Sequence, residues 1–363
     1  MRTVFSISLL ISLVLASAAP STATGIPARP MIEVNVDGHT VEGVPLAWSN
    51  DLVYLLGRDG RLIKFAPSKA TGYRKATSRF RPYSVSELRA ELLRELGHDY
   101  EVSGTSHYMV AHPRGQRDKW AQRFEDLYNS FVRYFSVRGF KLQTPSFPLI
   151  GIVCRNRADF DRYAAAHGVP VSGGIQGFYD LESNRIIVYD MQSPNSDMDW
   201  RRNASTIVHE ATHQVAFNTG IHSRFSPPPL WVIEGLATLF EAPGMSDSRS
   251  TTPRSERVNR QRLRDYKAMI SDKHDGRLPA EMTASDRFFR VSPLAAYAEA
   301  WALVFYLVET QPRQFAQYLV KTANREPFSE YSPDQRIHDF TSVFGHDWRQ
   351  FDAQFGRFMN TVR

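Results

Sequence analysis

Two histidines four residues apart, His209 and His213, constrain the fold of this chain more than any other feature of its sequence. They form an H-E-x-x-H pattern with Glu210, inside a segment of helical character from about Trp200 to Asn218. A helix places residues i and i+4 on one face, so both imidazoles can reach one metal ion. Glu210 lies beside the first histidine, where it can accept a proton from a water molecule on that ion. The pattern predicts a metal-binding helix, and its alternative is a surface helix with two unrelated histidines.

A third metal ligand is predicted in the next helical segment, which begins after the proline run 227–229. Glu234 follows His213 by 21 residues, enough chain for a second helix to return antiparallel to the first. The neighbours of Glu234 in that segment are apolar: Trp231, Ile233, Leu236, Leu239 and Phe240. Burying an unpaired carboxylate among them would cost free energy, whereas a zinc ion would neutralise its charge. An exposed glutamate on an amphipathic helix is the alternative.

The types of the predicted ligands indicate which metal ion binds and whether its site is catalytic or structural. The chain has one cysteine, Cys154, so thiolate-rich zinc and iron–sulfur sites are excluded. Two neutral histidines and one carboxylate leave a Zn²⁺ ion with net positive charge and an open fourth position. Such an ion lowers the pKa of a water molecule to about 7 and polarises a carbonyl group. The sequence therefore predicts one zinc ion in a catalytic rather than a structural site.

These residues resemble the gluzincin clan of zinc metallopeptidases, which pairs H-E-x-x-H with a downstream glutamate, here Glu234 in a W-x-x-E-G-L-A segment. More narrowly, they are similar to peptidase MA-like families of mostly uncharacterised exported bacterial proteins. The resemblance covers about residues 100–363 and includes an F-G-x-x-W segment that starts at Phe344. It implies an α+β fold with a zincin-like catalytic domain, an active-site helix and a mostly helical C-terminal half. The roles it implies are zinc ligation by His209, His213 and Glu234, and general-base catalysis by Glu210.

The sequence departs from the thermolysin-like branch of that clan at one position. That branch carries an acidic residue four positions after the third ligand, where this chain has Thr238. Glu241 lies seven positions after Glu234, and Asn218 follows the metal-binding pattern. We consider Thr238, Glu241 and Asn218 as candidates to orient a ligand histidine.

The resemblance also implies a hydrogen-bond donor for the oxyanion that forms as water attacks a carbonyl. Tyr297 lies at a suitable place in a downstream helical segment, although an aromatic side chain packed in the core is the alternative. His222 and His274 are weaker candidates for the same role. The resemblance further suggests that the strand over residues 184–190 is a sheet edge along which an extended peptide substrate pairs.

The N-terminal part of the chain reads as a targeting signal. Residues 1–18 contain Arg2, an apolar stretch from Val4 to Leu15, and small residues at positions 16–18, as a signal peptidase requires. The apolar stretch is short for a membrane span, so cleavage and an extracytoplasmic location, periplasmic or secreted, are expected. An uncleaved membrane anchor is the alternative.

Between the signal and the catalytic segment, the sequence predicts two further parts. Residues 31–66 alternate as short strands around the turn signals Asp37-Gly38 and Asp59-Gly60, which predicts a small β-barrel-like module of SH3 type. Residues 67–83 carry basic residues and no acidic one, which predicts a basic linker. Residues 84–363 are predicted to form the zincin-like metallopeptidase domain.

The composition and charge of the chain restrict the classes of partner that it is predicted to bind. The formal net charge of +6 arises from 44 basic and 38 acidic residues, and the basic residues concentrate in the linker and in residues 246–267. Aromatic residues are too sparse in the linker for a nucleic-acid stacking surface, so no nucleic-acid partner is predicted. The apolar run from Leu294 to Val308 contains Glu299 and fits a buried helix better than a membrane span. The sequence gives no indication of oligomeric state.

The predicted function is that of an exported zinc metallopeptidase that hydrolyses peptide bonds in a peptide or protein substrate. Two alternatives remain at this level. One is a zinc-dependent amide hydrolase that acts on cell-wall material. The other is a non-catalytic binding protein that keeps a degenerate peptidase fold and uses the β module and basic linker as its working surface.

Overall fold

The computed structural model describes residues 30–116, 120–169, 175–190, 197–246, 252–270, 277–327 and 329–363. The chain divides into two compact units, described separately below. The first comprises residues 1–122 and 143–190, and the second comprises residues 123–142 and 191–363. Sheets dominate the first unit and helices the second, which confirms the predicted α+β class. The predicted signal peptide, residues 1–18, lies outside the described residues.

The first sheet of unit 1 is built from five antiparallel strands in the spatial order β4-β3-β2-β1-β5. Its strands are β1 Met31–Val36, β2 His39–Trp48, β3 Val53–Leu56, β4 Leu62–Phe65 and β5 Ala70–Thr77. The predicted hairpin turn is present between β1 and β2, where Asp37 and Gly38 both adopt positive φ. The inward side chains form a small core of Ile32, Val34, Val53, Leu55, Phe65 and Ala70.

This sheet differs from the predicted SH3-like barrel because it does not close: β4 and β5 are its two edges. The strand β5 lies inside the segment predicted as a basic linker, and it pairs with β1 along its length. Its basic residues hid the strand pattern, since Arg74 points away from the core and donates to the carboxylate of Glu33 on β1. The N-terminal sheet therefore continues to Thr77.

The second sheet of unit 1 has the order β6-β7-β8-β10-β9 and mixes parallel with antiparallel pairs. Its strands are β6 Tyr100–Gly104, β7 Tyr108–Pro113, β8 Leu149–Cys154, β9 Gly177–Asp180 and β10 Arg185–Tyr189. Two helices adjoin its strands along the chain: α1 Val85–Leu96 precedes β6, and α3 Arg157–Ala166 follows β8. A capping box of Ser84 and Glu87 begins α1, as Ser/Thr-x-x-Glu sequences favour.

The position of β10 corrects one expectation from the sequence. The strand over residues 184–190 was expected to be a sheet edge open to a peptide, but β10 lies between β8 and β9. It pairs in parallel with β8 and antiparallel with β9, so its backbone groups are used within the sheet. The edge on this side of the sheet is β9, a four-residue strand that begins at Gly177. Its sequence, which follows Gly173 and Gly174, carries little strand signal.

Unit 2 is helical in its described residues. It contains α2 Ala121–Ser136, α4 Asp197–Asn218, α5 Leu230–Phe240, α6 Pro243–Ser246, α7 Arg260–Met269, α8 Arg277–Ala284, α9 Arg287–Val291, α10 Pro293–Thr310, α11 Pro312–Ala323, α12 Pro333–Phe344 and α13 Trp348–Asn360. The first two residues of α2 are grouped with unit 1.

The central helix of unit 2 is α10, which is buried from Ala295 to Val308 except for the partly exposed Tyr297. It packs mainly against α5 and α7. The described helices include none that is both long and apolar enough to cross a membrane, α10 among them. The charged Glu299 in its middle is enclosed by protein, as the sequence predicted for this run.

Candidate metal centre

The helix α4 brings the two histidines of the H-E-x-x-H pattern together. The rings of His209 and His213 are nearly perpendicular, at 86°, with centroids 4.7 Å apart. Their Nε2 atoms lie 3.1 Å from each other. Two imidazole nitrogens that converge in this way can share one proton in a hydrogen bond or can both bind one metal ion.

Glu234 on α5 completes a three-residue cluster. Its Oε2 lies 3.1 Å from the Nε2 atom of His209 and 3.5 Å from that of His213. All three ligand atoms fall within 4.8 Å of one another, the arrangement that a single metal ion requires. Ligands at the usual zinc–nitrogen distance in a tetrahedral site are about 3.3 Å apart, so the spacing and the donor types fit zinc.

A glycine in α5 allows Glu234 to reach this position. A Cβ atom on Gly235 would lie 2.5 Å from both the carbonyl oxygen of Ala300 and Cγ2 of Val304 on α10. Helix α5 can therefore approach α10 closely only because residue 235 has no side chain. The close approach fixes the helix that carries Glu234 against the helix that carries Tyr297.

The charges of the cluster are coupled. Burial raises the pKa of Glu234, but the charge of His213 and hydrogen bonds from both histidines outweigh it, so this pKa is lowered. Burial opposes protonation of His209, but hydrogen bonds to Glu234 and Glu241 outweigh it and raise the pKa of this imidazole. Carboxylates on both sides of His209 favour a positive charge at this point, whether a proton or a metal ion carries it.

Glu241 orients one ligand histidine. The Nδ1–H of His209 donates to Oε1 of Glu241 at 2.8 Å, which leaves Nε2 of the imidazole to face the cluster. Glu241 was one of the three candidates from the sequence for this role. The hydroxyl of Thr238 donates to backbone carbonyls of its own helix, and the amide of Asn218 donates to the carbonyl of Gln214.

Asn259, which the sequence did not single out, holds Glu241 in turn. Its Nδ2 donates to Oε2 of Glu241 at 2.8 Å and to the carbonyl oxygen of Thr238 at 2.9 Å. Its Oδ1 accepts from the backbone N–H of Arg262, so the same side chain caps the N-terminus of α7. A cap position just before a helical run was the available signal, but the sequence does not show which carboxylate the amide meets.

Glu210 follows His209 on α4 and is partly exposed. Its negative charge favours the protonated forms of His209 and Tyr297, and so contributes to the raised pKa of each. The predicted general base therefore lies beside the metal-binding cluster and retains access to solvent.

Tyr297 on α10 also lies at the centre. Its ring centroid is 6.2 Å from that of His209, and its hydroxyl interacts with the carboxylate of Glu234. Burial and the charges of Glu234 and Glu210 raise its pKa, so the hydroxyl keeps its proton. The guanidinium carbon of Arg262 lies 5.2 Å from the ring centroid.

Of the two weaker candidates for the oxyanion donor, only His222 lies in the described residues. His222 is buried, and burial together with the charge of His213 lowers its pKa to about 3. Its Nδ1 lies 3.1 Å from the carbonyl oxygen of Ile221, and its ring meets that of Phe217 edge to face. His274 lies outside the described residues.

Comparison with protein-family models gives a match over the part of the chain that contains the centre. Residues 203–329 match the model of a family described as "Protein of unknown function (DUF1570)". No curated protein matches the chain. The matched range contains the residues of the centre described above: His209, Glu210, His213, Glu234, Glu241, Asn259, Arg262 and Tyr297. The part of the chain that carries the candidate metal centre is therefore similar to an uncharacterised family, DUF1570.

Proposed function

We propose that this chain is an exported zinc metallopeptidase of the gluzincin type, with peptide or protein as its substrate. The observation that carries the proposal is the convergence of His209, His213 and Glu234 within 4.8 Å, with Glu210 next to the first ligand. The hydroxyl of Tyr297 on Glu234 adds a proton donor at the same place. A buried structural site would need neither the adjacent carboxylate nor the tyrosine.

His209, His213 and Glu234 would hold the zinc ion. When bound, zinc supplies Lewis-acid chemistry that activates water and polarises the scissile carbonyl. Glu241 keeps the imidazole of His209 in the tautomer that presents Nε2 to the ion. His213 is buried, but the side chains of His209 and Glu234 are 13% and 14% exposed, which leaves a side of the cluster that substrate can approach.

Two side chains would move or stabilise charge during hydrolysis. The carboxylate of Glu210 takes the proton of the attacking water and delivers it to the leaving amine. The hydroxyl of Tyr297, held in its protonated form, is placed to donate to the carbonyl oxygen as that oxygen becomes negative. Both roles depend on groups that sit beside the metal ligands without replacing one of them.

The test measures metal content and hydrolysis in the same preparations. We expect about one zinc per chain, cleavage of a fluorogenic peptide mixture, loss of cleavage with a chelator, and recovery on adding zinc back. Glu210→Gln should retain zinc and lose hydrolysis, because the ligands remain and the base does not. The control is Glu281→Gln, which changes an exposed glutamate on α8. Full activity in Glu210→Gln would contradict the mechanism.

The same assay separates the alternatives. Cleavage of peptidoglycan fragments but not of unmodified peptides would identify an amide hydrolase of cell-wall material. Zinc content well below one ion per chain after mild purification would favour a binding protein on a degenerate peptidase fold. Export is tested by the N-terminal sequence of the mature protein, which we expect to begin after residue 18.

A further inference from the structure

Arg262 on α7 has a partly exposed guanidinium that has no hydrogen-bond partner among the residues that the structure describes. The side chain is 20% exposed, and its Nε atom is buried without a hydrogen-bond partner in the described part of the chain. Its nearest carboxylate is Asp265 on the same helix, with Nη1 and Oδ2 3.6 Å apart, beyond hydrogen-bond distance. Its other contact is the ring of Tyr297, 5.2 Å from the guanidinium carbon.

Other partly buried arginines of this unit have a carboxylate within hydrogen-bond distance. Arg257 donates to the carboxylate of Glu309 at 2.8 Å, although its Nε atom is also buried without a partner in the described structure. Arg336 donates through both of its Nη atoms to Asp286, at 2.9 and 3.1 Å. A guanidinium carries five N–H donors in a planar fork. Arg262 differs because none of its side-chain donors is hydrogen-bonded within the described residues, so its fork is available to an acceptor from outside them.

The position of Arg262 shows where that acceptor would lie. Tyr297 contacts the arginine with its ring and the ligand Glu234 with its hydroxyl. The imidazole of His209 faces the same tyrosine ring, with centroids 6.2 Å apart. The guanidinium and the metal ligands are thus separated by one side chain, a distance that an extended peptide covers in about three residues.

We propose that Arg262 binds a carboxylate of the substrate, so that the enzyme prefers peptides with a negative charge within about three residues of the scissile bond. This inference rests on the proposed peptidase function. A guanidinium pairs with a carboxylate through two parallel hydrogen bonds, stronger and more directional than bonds to a neutral carbonyl. The positive charge of Arg262 would also offset the repulsion that Glu210 and Glu234 exert on an acidic substrate. The bound carboxylate can belong to an acidic side chain or to the free C-terminus of the peptide.

The experiment measures binding separately from catalysis. Fluorescein-labelled peptides that differ only by Glu or Gln at each position near the centre, and by a free or amidated C-terminus, are titrated with zinc-loaded Glu210→Gln protein. Anisotropy then gives the dissociation constants. We expect a preference of about 10-fold or more for the carboxylate at one position. Preference for Glu identifies a side-chain carboxylate, and preference for the free terminus identifies the terminal one.

Two substitutions then assign the preference to Arg262. Arg262→Met retains aliphatic packing on Tyr297 and should reduce the Glu/Gln or acid/amide ratio to about one. Arg262→Lys keeps the charge without the planar fork and should retain a smaller ratio. The control is Arg264→Met, which removes an exposed arginine on the same helix that donates to Gln261. It should leave the ratio unchanged.

Failure of this inference differs from failure of the proposed function. A wild-type protein that binds zinc and cleaves neutral peptides but shows no preference for a carboxylate overturns the role of Arg262 and leaves the peptidase proposal standing. A preference that persists in a folded, zinc-loaded Arg262→Met protein also overturns it. If neither the wild-type nor the Glu210→Gln protein takes up zinc or binds any peptide, the proposed function itself is wrong, and the inference fails with it.

Discussion

At the scale of single residues, Glu241 and Asn259 connect His209, a proposed metal ligand, to α7, which carries no member of the three-residue cluster. Asn259 donates to Glu241, and Glu241 accepts from His209, each at 2.8 Å. Removal of such outer partners typically lowers metal affinity about 10- to 100-fold. We expect Glu241→Gln and Asn259→Ser each to weaken zinc binding in a chelator competition, with the larger loss for Glu241→Gln because that change alters the contact with the ligand itself.

Serine is chosen at position 259 because its hydroxyl can still cap α7, so the variant loses the amide donor and keeps the cap. The matched control is Asn156→Ser, which changes an asparagine cap of α3 in the other unit. Zinc affinity in Asn259→Ser equal to that of the control would reduce Asn259 to a helix cap.

Tyr297 permits a separate test at the same scale. Tyr297→Phe removes the hydroxyl and keeps the ring that contacts His209 and Arg262. We expect kcat to fall about 100-fold, the usual effect of losing one oxyanion donor, while zinc content is retained. The measurement is steady-state kinetics on the peptide used for the wild type. An unchanged kcat would leave Tyr297 a packing residue beside the centre.

How far the sequence predicts this centre depends on the kind of residue. In a helix, the spacing of His209 and His213 places both side chains on one face. An acidic residue at position 234 among apolar neighbours needs a compensating charge. Asn259 and Arg262 follow no such rule, because polar residues at the start of a basic helix are usually solvated. What distinguishes them is which side chains the fold brings within 3 to 5 Å, and sequence spacing does not encode that.

At the scale of elements, the closeness of α5 and α10 depends on Gly235. A methyl group there would lie 2.5 Å from the carbonyl oxygen of Ala300, so the helices must separate to admit it. We expect Gly235→Ala to lower the free energy of unfolding by about 1–3 kcal/mol and to weaken zinc binding as Glu234 shifts away from His213. Urea unfolding and chelator competition measure the two effects. An unfolding midpoint equal to that of the wild type would contradict the requirement for glycine.

Elements with a distinctive motif or a long apolar run were predictable, and those whose signal is masked by charge were not. The helices α4, α5 and α10 lie where the sequence placed helical segments: the histidine pair marks α4, and apolar runs mark α5 and α10. The strand β5 was assigned to a linker, because its alternation is carried by Arg74 and Lys75 on an edge open to solvent. Pairing order also escaped prediction: β10 is an interior strand, although nothing in its own residues distinguishes an edge from a centre.

At the scale of the whole molecule, Glu299 makes stability depend on pH. Burial, and then the charge of Asp352 on α13, raise its pKa to about 8 in the folded protein, against an ordinary value near 4.5. Between these two values, the unfolded chain has released a proton that the folded chain retains. The free energy of unfolding therefore falls as pH rises from about 4.5 to 8, and this contribution is largest at acidic pH.

The corresponding variant is Glu299→Gln, which has the shape of the protonated acid and does not titrate. We expect it to be more stable than the wild type at pH 8 by at least about 1 kcal/mol, with the difference shrinking towards pH 5. Thermal and urea unfolding across this range measure the difference. A constant difference between the two proteins from pH 5 to pH 8 would show that folding does not raise the pKa of Glu299.

The contact between Tyr297 and His209 has a consequence for protein engineering. The two residues are 88 positions apart in the chain, yet their ring centroids are 6.2 Å apart. A fragment that stops before α10 would still contain the H-E-x-x-H pattern and Glu234, but it would lack the proton donor and the surface that closes over Gly235. The smallest transplantable version of this centre is therefore a run of helices from α4 to α10, and no short peptide motif can substitute for it.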